Sequence, residues 1–86
     1  MEEKPLEEIR TGVWRVKATM SLADFNEAMG LELPTAEFDT IGGLVLNLFG
    51  ALPREGRTVS VDHLKFRVIR LKGTRILELE VRREQP

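Results

Sequence analysis

The stretch that decides the fold is Asp39-Thr-Ile-Gly-Gly-Leu-Val-Leu-Asn-Leu-Phe-Gly-Ala-Leu-Pro-Arg-Glu-Gly56. It begins with an Asp-Thr pair that can cap a helix and continues with an almost wholly apolar body. It then reaches Gly50, where a left-handed residue can end the helix. Pro53 and the final glycine indicate a tight turn. The stretch therefore predicts a helix over residues 40–49 followed by a turn.

Apolar side chains cover more than half of this predicted helix. At about 100° per residue they form one broad arc, which Leu46 and Gly42 widen further. The arc consists of Ile41, Leu44, Val45, Leu48 and Phe49. Such a helix must be covered on more than one side, and Phe49 is expected to lie in the core.

A strand and a shorter helix are predicted before this stretch. Apolar and polar side chains alternate over residues 13–18 with the period of a half-buried strand. Ser21 and Asp24 then resemble a capping box, and Gly30 stands where a short amphipathic helix should end.

The last third is predicted to be a three-stranded antiparallel meander. If its strands bury one common face, Val61 pairs with Leu64, and the two residues between them, Asp62 and His63, form the first hairpin turn.

The second hairpin follows from the same register. Pairing Arg70 with Leu77 leaves Gly73–Thr74 as a two-residue loop and places Arg67 opposite Glu80 on the outer face. The predicted order is strand, helix, helix and three-stranded meander, which is an α+β domain.

The chain is expected to be one domain with short ends. Residues 1–11 alternate acidic and basic groups and are predicted to be a linker or flexible lead-in. The domain itself is expected to span residues 12–83, and residues 84–86 would form a tail.

The composition excludes several classes of function. The 86 residues are 42% apolar and carry a net charge of -1, an ordinary soluble balance with no long-range attraction for nucleic acid. There is no cysteine, and therefore no disulfide, thiolate ligand or thiol nucleophile. No apolar run reaches the ~20 residues that cross a bilayer. Neither a nucleic-acid partner nor direct membrane insertion is expected, and any membrane attachment would lie outside this chain.

The polar candidate sites each have a simpler structural interpretation. His63 is the only histidine and lies in a predicted turn, without the orienting partner that a general base needs. Several carboxylates near the helix connector could serve magnesium or acid–base chemistry, but their spacing matches no compact loop. These are Glu27, Glu32, Glu37 and Asp39. A solvated rim, with Asp39 as the helix cap, is the preferred interpretation, so no catalytic residue and no metal ligand is assigned.

A series of basic residues in the last third of the chain could indicate a surface that binds nucleic acid. The series consists of Lys65, Arg67, Arg70, Lys72 and Arg75. Glu78 and Glu80 offset it on the neighbouring strand, which favours a salt-bridged outer face.

Two interpretations of Gly42 and Gly43 remain open. Near a helix N-terminus, they could let a phosphate approach backbone N–H groups. Alternatively, they serve close packing, because Gly43, Asn47 and Gly50 recur at i, i+4 and i+7 as a narrow ridge that another backbone can approach.

The apolar side chains exceed what one small core can cover. The surplus residues are Leu46, Leu52, Ile69, Leu71 and Ile76. They are expected to form an apolar patch of the kind that marks an interface for docking or self-association.

The order of Asp, Thr, Gly and Pro in the opening stretch resembles the CorC/HlyC transporter-associated domain. The resemblance covers about residues 12–83 and is carried by Asp39, Thr40, Gly42, Gly43, Leu46, Gly50, Pro53 and Gly56. Most of these are structural residue types, so the pattern identifies a module better than an activity.

The resemblance implies a non-catalytic regulatory module. It would be the C-terminal cytoplasmic domain of a CBS-containing membrane protein of the magnesium and cobalt efflux or hemolysin-like kind, where it would modulate ion transport. Its partners would be the CBS-domain pair and membrane domain of the same parent, with a homodimer as a further option and no cofactor.

The family's fold is also similar to part of the flavin-binding domain of certain oxidoreductases. On that alternative the chain would be a small module for a flavin such as flavin adenine dinucleotide, or for an adenine nucleotide. Asp39, Thr40, Gly42 and Gly43 would then contact a phosphate.

Overall fold

The structure, a computed structural model, describes residues 4–84. Its elements follow in the order β1 (Leu6–Arg10), β2 (Val13–Lys17), α1 (Leu22–Met29), α2 (Ile41–Phe49), β3 (Thr58–Val61), β4 (Leu64–Lys72) and β5 (Arg75–Arg83). The strands form one antiparallel sheet in the order β1-β2-β5-β4-β3. The predicted mixture of two helices and an antiparallel sheet is therefore confirmed, but the sheet has one strand more than predicted.

The additional strand is β1, in the segment expected to be a linker or flexible lead-in. Leu6 pairs with Val16 and Glu8 with Trp14, so the expectation is wrong for Leu6–Arg10. β1 lies at the edge of the sheet, and Leu6 is its one side chain that packs against the core. An edge strand with only one half-buried side chain gives almost no apolar alternation in the sequence. Residues 1–3 of the expected lead-in and residues 85–86 of the expected tail lie outside the described residues.

The core lies between the two helices and one face of the sheet. Phe25 of α1 and Phe66 of β4 are fully buried, with ring centroids 6.1 Å apart. The whole buried cluster comprises Val16, Ala18, Leu22, Phe25, Met29, Leu33, Ile41, Leu44, Val45, Leu64, Phe66, Val68, Ile76, Leu79 and Val81. Phe49 is only half-buried, against the expectation that it lies in the core, because the buried residues of α2 belong to its first five positions.

Both helices begin and end with side-chain or glycine caps. Ser21 Oγ accepts from the Asp24 amide at 2.9 Å, as the predicted capping box requires, and Gly30 ends α1 with φ 67°. Thr40 Oγ1 accepts from the Gly43 amide at 3.1 Å. Thr40, and not Asp39, is therefore the N-cap of α2, because its hydroxyl is the group that reaches an unsatisfied helix amide.

Gly42 holds the start of α2 against the end of β2. Its amide donates to the Ala18 carbonyl at 2.9 Å. A Cβ at this position would lie 2.6 Å from Ala18 Cβ and 2.8 Å from Ala18 O. The backbones of the two elements are thus too close to admit any side chain at Gly42, which supports close packing at this glycine.

The connector between the helices is held by one side chain. Asn26 Nδ2 donates to the Leu33 carbonyl at 2.9 Å, and Asn26 Oδ1 accepts from the Leu33 amide at 3.0 Å. Both polar groups of Leu33 are satisfied while its side chain is buried in the core. These two hydrogen bonds therefore fix the position of the segment that leads to Phe38.

The hairpins of the meander have the predicted turns. Val61 pairs with Leu64 around Asp62, which has φ 54°, and Lys72 pairs with Arg75 around the predicted two-residue loop.

One pair in the second hairpin differs from the prediction. Arg70 pairs with Glu78 and not with Leu77, at an irregularity that interrupts the register. Beyond it, Leu71 and Ile76 return to the core side of the sheet. Arg67 lies opposite Glu80, as predicted.

We predict that Gly42→Ala destabilises the fold by about 1–3 kcal/mol, because the new methyl group would overlap the backbone of Ala18. Urea denaturation of both proteins measures the difference. Gly43→Ala is the matched control, since it gains the same helix propensity but its nearest foreign atom is Thr40 Oγ1 at 3.3 Å. Equal midpoints for the two variants would contradict this account of Gly42.

Candidate functional site

The N-terminus of α2 offers few free donors to an anion. The Ile41 amide donates to Met20 O at 3.0 Å, the Gly42 amide to Ala18 O, and the Gly43 amide to Thr40 Oγ1. A phosphate binds a helix N-terminus through amides that have no partner in the protein. These hydrogen bonds argue against the phosphate contact proposed for Asp39, Thr40, Gly42 and Gly43.

An open, mostly apolar groove runs along α2 and is the main candidate site. We call it the α2 groove; it has a volume of about 500 Å³ and is lined by Phe38, Gly43, Leu46, Asn47, Gly50, Ala51, Leu52 and Thr74. Leu52 is 45% exposed, which is unusual for a large apolar side chain in this small domain. The predicted ridge of Gly43, Asn47 and Gly50 forms part of the lining, so it faces solvent where a partner backbone could approach.

The expected interface residues do not all come together. Leu46 and Leu52 line the α2 groove, whereas Leu71 packs against the edge of the core. Ile69 is half-buried, and it does not line the groove. Ile76 is 8% exposed and belongs to the core, so the expectation that it is exposed is wrong. The register irregularity between Val68 and Leu71 is the reason, because it reverses the side-chain parity of the strand ends and puts Leu71 and Ile76 on the core side of the sheet.

The remaining motif residues shape the turn that carries Leu52. Gly56 has φ 90°, and its amide donates to Val68 O at 2.7 Å. Glu55 Oε2 accepts from the Leu71 amide at 2.9 Å. The Gly56 amide and the Glu55 carboxylate therefore hold the segment after α2 against β4, and Pro53 lies in that segment.

The polar candidates are not assembled into a reactive site. His63 lies in the first hairpin turn, where its carbonyl accepts from the Glu84 amide at 2.7 Å. All four connector carboxylates are exposed: Glu27, Glu32, Glu37 and Asp39. Within residues 4–84, no three His, Cys, Asp or Glu side chains meet as a metal site would require.

The outer face of the sheet carries alternating charges. Arg15 lies 3.8 Å from Glu7 and 3.5 Å from Glu78, and Arg82 lies 3.5 Å from Glu80. A cleft of about 230 Å³ on this face is lined by Thr58, Lys65, Arg67, Glu80 and Arg82. The two pairs of Arg15 join neighbouring strands, whereas Arg82 and Glu80 belong to the same strand. None of these three pairs contains a base of the predicted series, of which Arg67 lies opposite Glu80 in the register.

Three lining residues of the α2 groove were missed by the sequence analysis. Phe38, Ala51 and Thr74 come from the connector, the turn after α2 and a hairpin loop. Each is unremarkable in its own segment, and only the fold brings them together. The one usable signal was Phe38, an aromatic residue directly before the Asp-Thr pair.

None of the helices formed by residues 4–84 has the length and apolar character needed to cross a membrane.

Comparisons with known proteins agree on one family. Residues 7–85 match the transporter associated domain CorC_HlyC. The magnesium and cobalt efflux protein CorC of Escherichia coli K12 is 44% identical over 69 residues, which are 80% of this chain and 24% of that protein. A CorC-associated region from Neisseria meningitidis MC58 has a TM-score of 0.88 at 34% identity, covering 93% of this chain and 99% of that one. A hemolysin domain from Enterococcus faecalis V583 has a TM-score of 0.88 at 25% identity, covering 95% and 100%.

The chain spans about a quarter of the length of these curated relatives. The matched region contains both helices and the whole stretch from Asp39 to Gly56, and the solved structures share the fold around them. The chain belongs to the CorC/HlyC transporter-associated domain family.

Proposed function

We propose that this chain is a non-catalytic regulatory module of a magnesium and cobalt transport protein. The observation that carries the proposal is its 44% identity to a segment that makes up 24% of an efflux protein, CorC of Escherichia coli K12. The parent would be a CBS-containing membrane protein, with this module as its C-terminal domain on the cytoplasmic face. Its partners would be the CBS-domain pair and the membrane domain of the same parent, together with a second copy of this module.

The surface chemistry of the module supports docking and not turnover. Its main candidate site is the α2 groove, which has a mostly apolar lining with no ionisable side chain. Such a groove can supply contact area but no nucleophile, general base or metal ligand. A docking module regulates its parent when it binds one arrangement of neighbouring parts more tightly than another. Coupling of this kind is typically about 1–3 kcal/mol, or about 5- to 150-fold in affinity.

We predict that the α2 groove is needed for regulation in a full-length protein. The test replaces the matching quarter of the Escherichia coli efflux protein with this chain and measures cobalt efflux in cells that lack the native protein. Leu52→Glu in the chimera should change the half-maximal cobalt or magnesium response by at least about fivefold, because it replaces an exposed large apolar side chain of the groove by a charge.

The matched control for this chimera is Ala23→Glu, which adds the same charge at an exposed position of α1 outside the groove. Circular dichroism of the isolated variants checks that both are folded. A chimera in which Leu52→Glu and Ala23→Glu behave alike would contradict the docking role of the groove.

The flavin or adenine nucleotide alternative requires a phosphate to contact Gly42 and Gly43, and the structure argues against that contact. We predict that the amide signals of Gly42 and Gly43 stay in place when flavin adenine dinucleotide or ATP is added, because both amides already donate within the protein. Two-dimensional ¹⁵N–¹H spectra at millimolar ligand measure this directly. A saturable shift confined to the N-terminus of α2 would favour the ligand-binding module instead.

A further inference from the structure

The side of α2 that lines the groove carries two glycines, so another helix can approach it closely. Gly43 and Gly50 have no side chain, and Asn47 between them is exposed. These three residues recur at i, i+4 and i+7 and therefore lie along one line of the helix surface. Helix axes come closest where the facing side chains are small.

Larger apolar side chains lie at the two ends of this row of three residues. Phe38 lines the groove before the start of α2, and Leu52 lines it after the end of the helix. The helix between them is nine residues long, which corresponds to about 13 Å. A second α2 laid antiparallel along the ridge would bring the Leu52 end of one copy to the Phe38 end of the other.

The two ends of the groove differ in charge, as an antiparallel pairing of two copies requires. Between residues 18 and 53 the chain has five acids and no lysine or arginine, and two of these acids, Glu37 and Asp39, flank Phe38. From residue 54 to residue 75 there are seven bases and two acids. The flanking acids are exposed, so they are free to face a partner molecule.

Two exposed bases adjoin the segment after Leu52. Arg54 follows Leu52 by two residues and is exposed. The Leu71 amide donates to Glu55 Oε2 at 2.9 Å, which brings the next residue of β4, the exposed Lys72, to the same segment. The groove thus has an acidic end and a basic end.

We propose that the occupant of the α2 groove is the α2 groove of a second copy, in an antiparallel two-fold pairing. This arrangement places each acidic end against a basic end, whereas a parallel pairing would place like charges together. The contact is self-complementary, so it closes at a dimer. The inference names the partner for the proposed docking function but does not depend on transport, because the pairing is a property of this chain.

Sedimentation equilibrium of the 86-residue chain tests the pairing directly. The mean mass should rise from 9.8 kDa toward twice that value between about 10 µM and about 1 mM, the range expected for a small interface. A chain that stays monomeric over the whole range overturns the proposal and leaves the groove to another partner. The cobalt efflux assay of the chimera is a separate measurement, so failure of the pairing and failure of the regulatory function are distinguishable.

A substitution near the two-fold axis tests which surface is used. Asn47 lies near the middle of the ridge, so Asn47→Glu would place two like charges side by side in the dimer. The dissociation constant should rise about tenfold or more. Ala23→Glu on α1 is the matched control and should leave the constant unchanged. Equal dissociation constants for the two variants would show a dimer formed by another surface, and would overturn the proposal.

Charge reversal tests the antiparallel direction. One variant carries Glu37→Lys with Asp39→Lys, and a second carries Arg54→Glu with Lys72→Glu. Each should associate at least about tenfold more weakly with itself, because like charges then meet at both ends. An equimolar mixture of the two should form a heterodimer, since every end again faces an opposite charge. A variant that associates with itself as tightly as the wild-type chain, or a mixture that stays monomeric, overturns the antiparallel pairing. Circular dichroism confirms that each variant is folded.

Discussion

The hydrogen bond from the Gly42 amide to the Ala18 carbonyl is the contact on which the rest of the domain depends. It holds the start of α2 at the end of β2, at a distance that excludes even a methyl group. Neighbouring backbone bonds extend this contact: the Ile41 amide donates to Met20 O, and the Leu22 amide donates to Asp39 O at 2.8 Å. Both helices therefore begin at one hydrogen-bonded junction. The core lies between the two helices and one face of the sheet.

This junction also explains why α2 has an open side. Its buried residues, Ile41, Gly42, Leu44 and Val45, all lie near the fastened end, whereas Leu46, Leu48 and Phe49 are only half-buried. A sheet and one short helix cannot surround an apolar helix on every side. The side that they leave uncovered is the α2 groove. The same motif that builds the core thus also exposes the surface through which we propose that the module acts.

The local pairings were predictable because they depend on neighbouring residues. The two-residue loop at Gly73–Thr74, the turn at Asp62 and the caps of α1 follow from side-chain parity and residue type within a few positions. The strand β1 was not predictable in this way, since an edge strand with only one half-buried side chain shows no alternation. Ile76 was misplaced for a related reason, because a register irregularity reverses the parity that the prediction assumed.

The sequence by itself determined the α+β class, the positions of both helices, the turns of the meander and the family, because these depend on residue types at short spacing. Only the tertiary structure decided which glycine is packed and which is open. Gly42 and Gly43 are adjacent in the chain, yet one lies against Ala18 and the other lines the α2 groove. The groove itself could not be predicted from the sequence. Its lining residues Phe38, Leu52 and Thr74 belong to three separate segments, which meet only once the helices and the second hairpin have packed together.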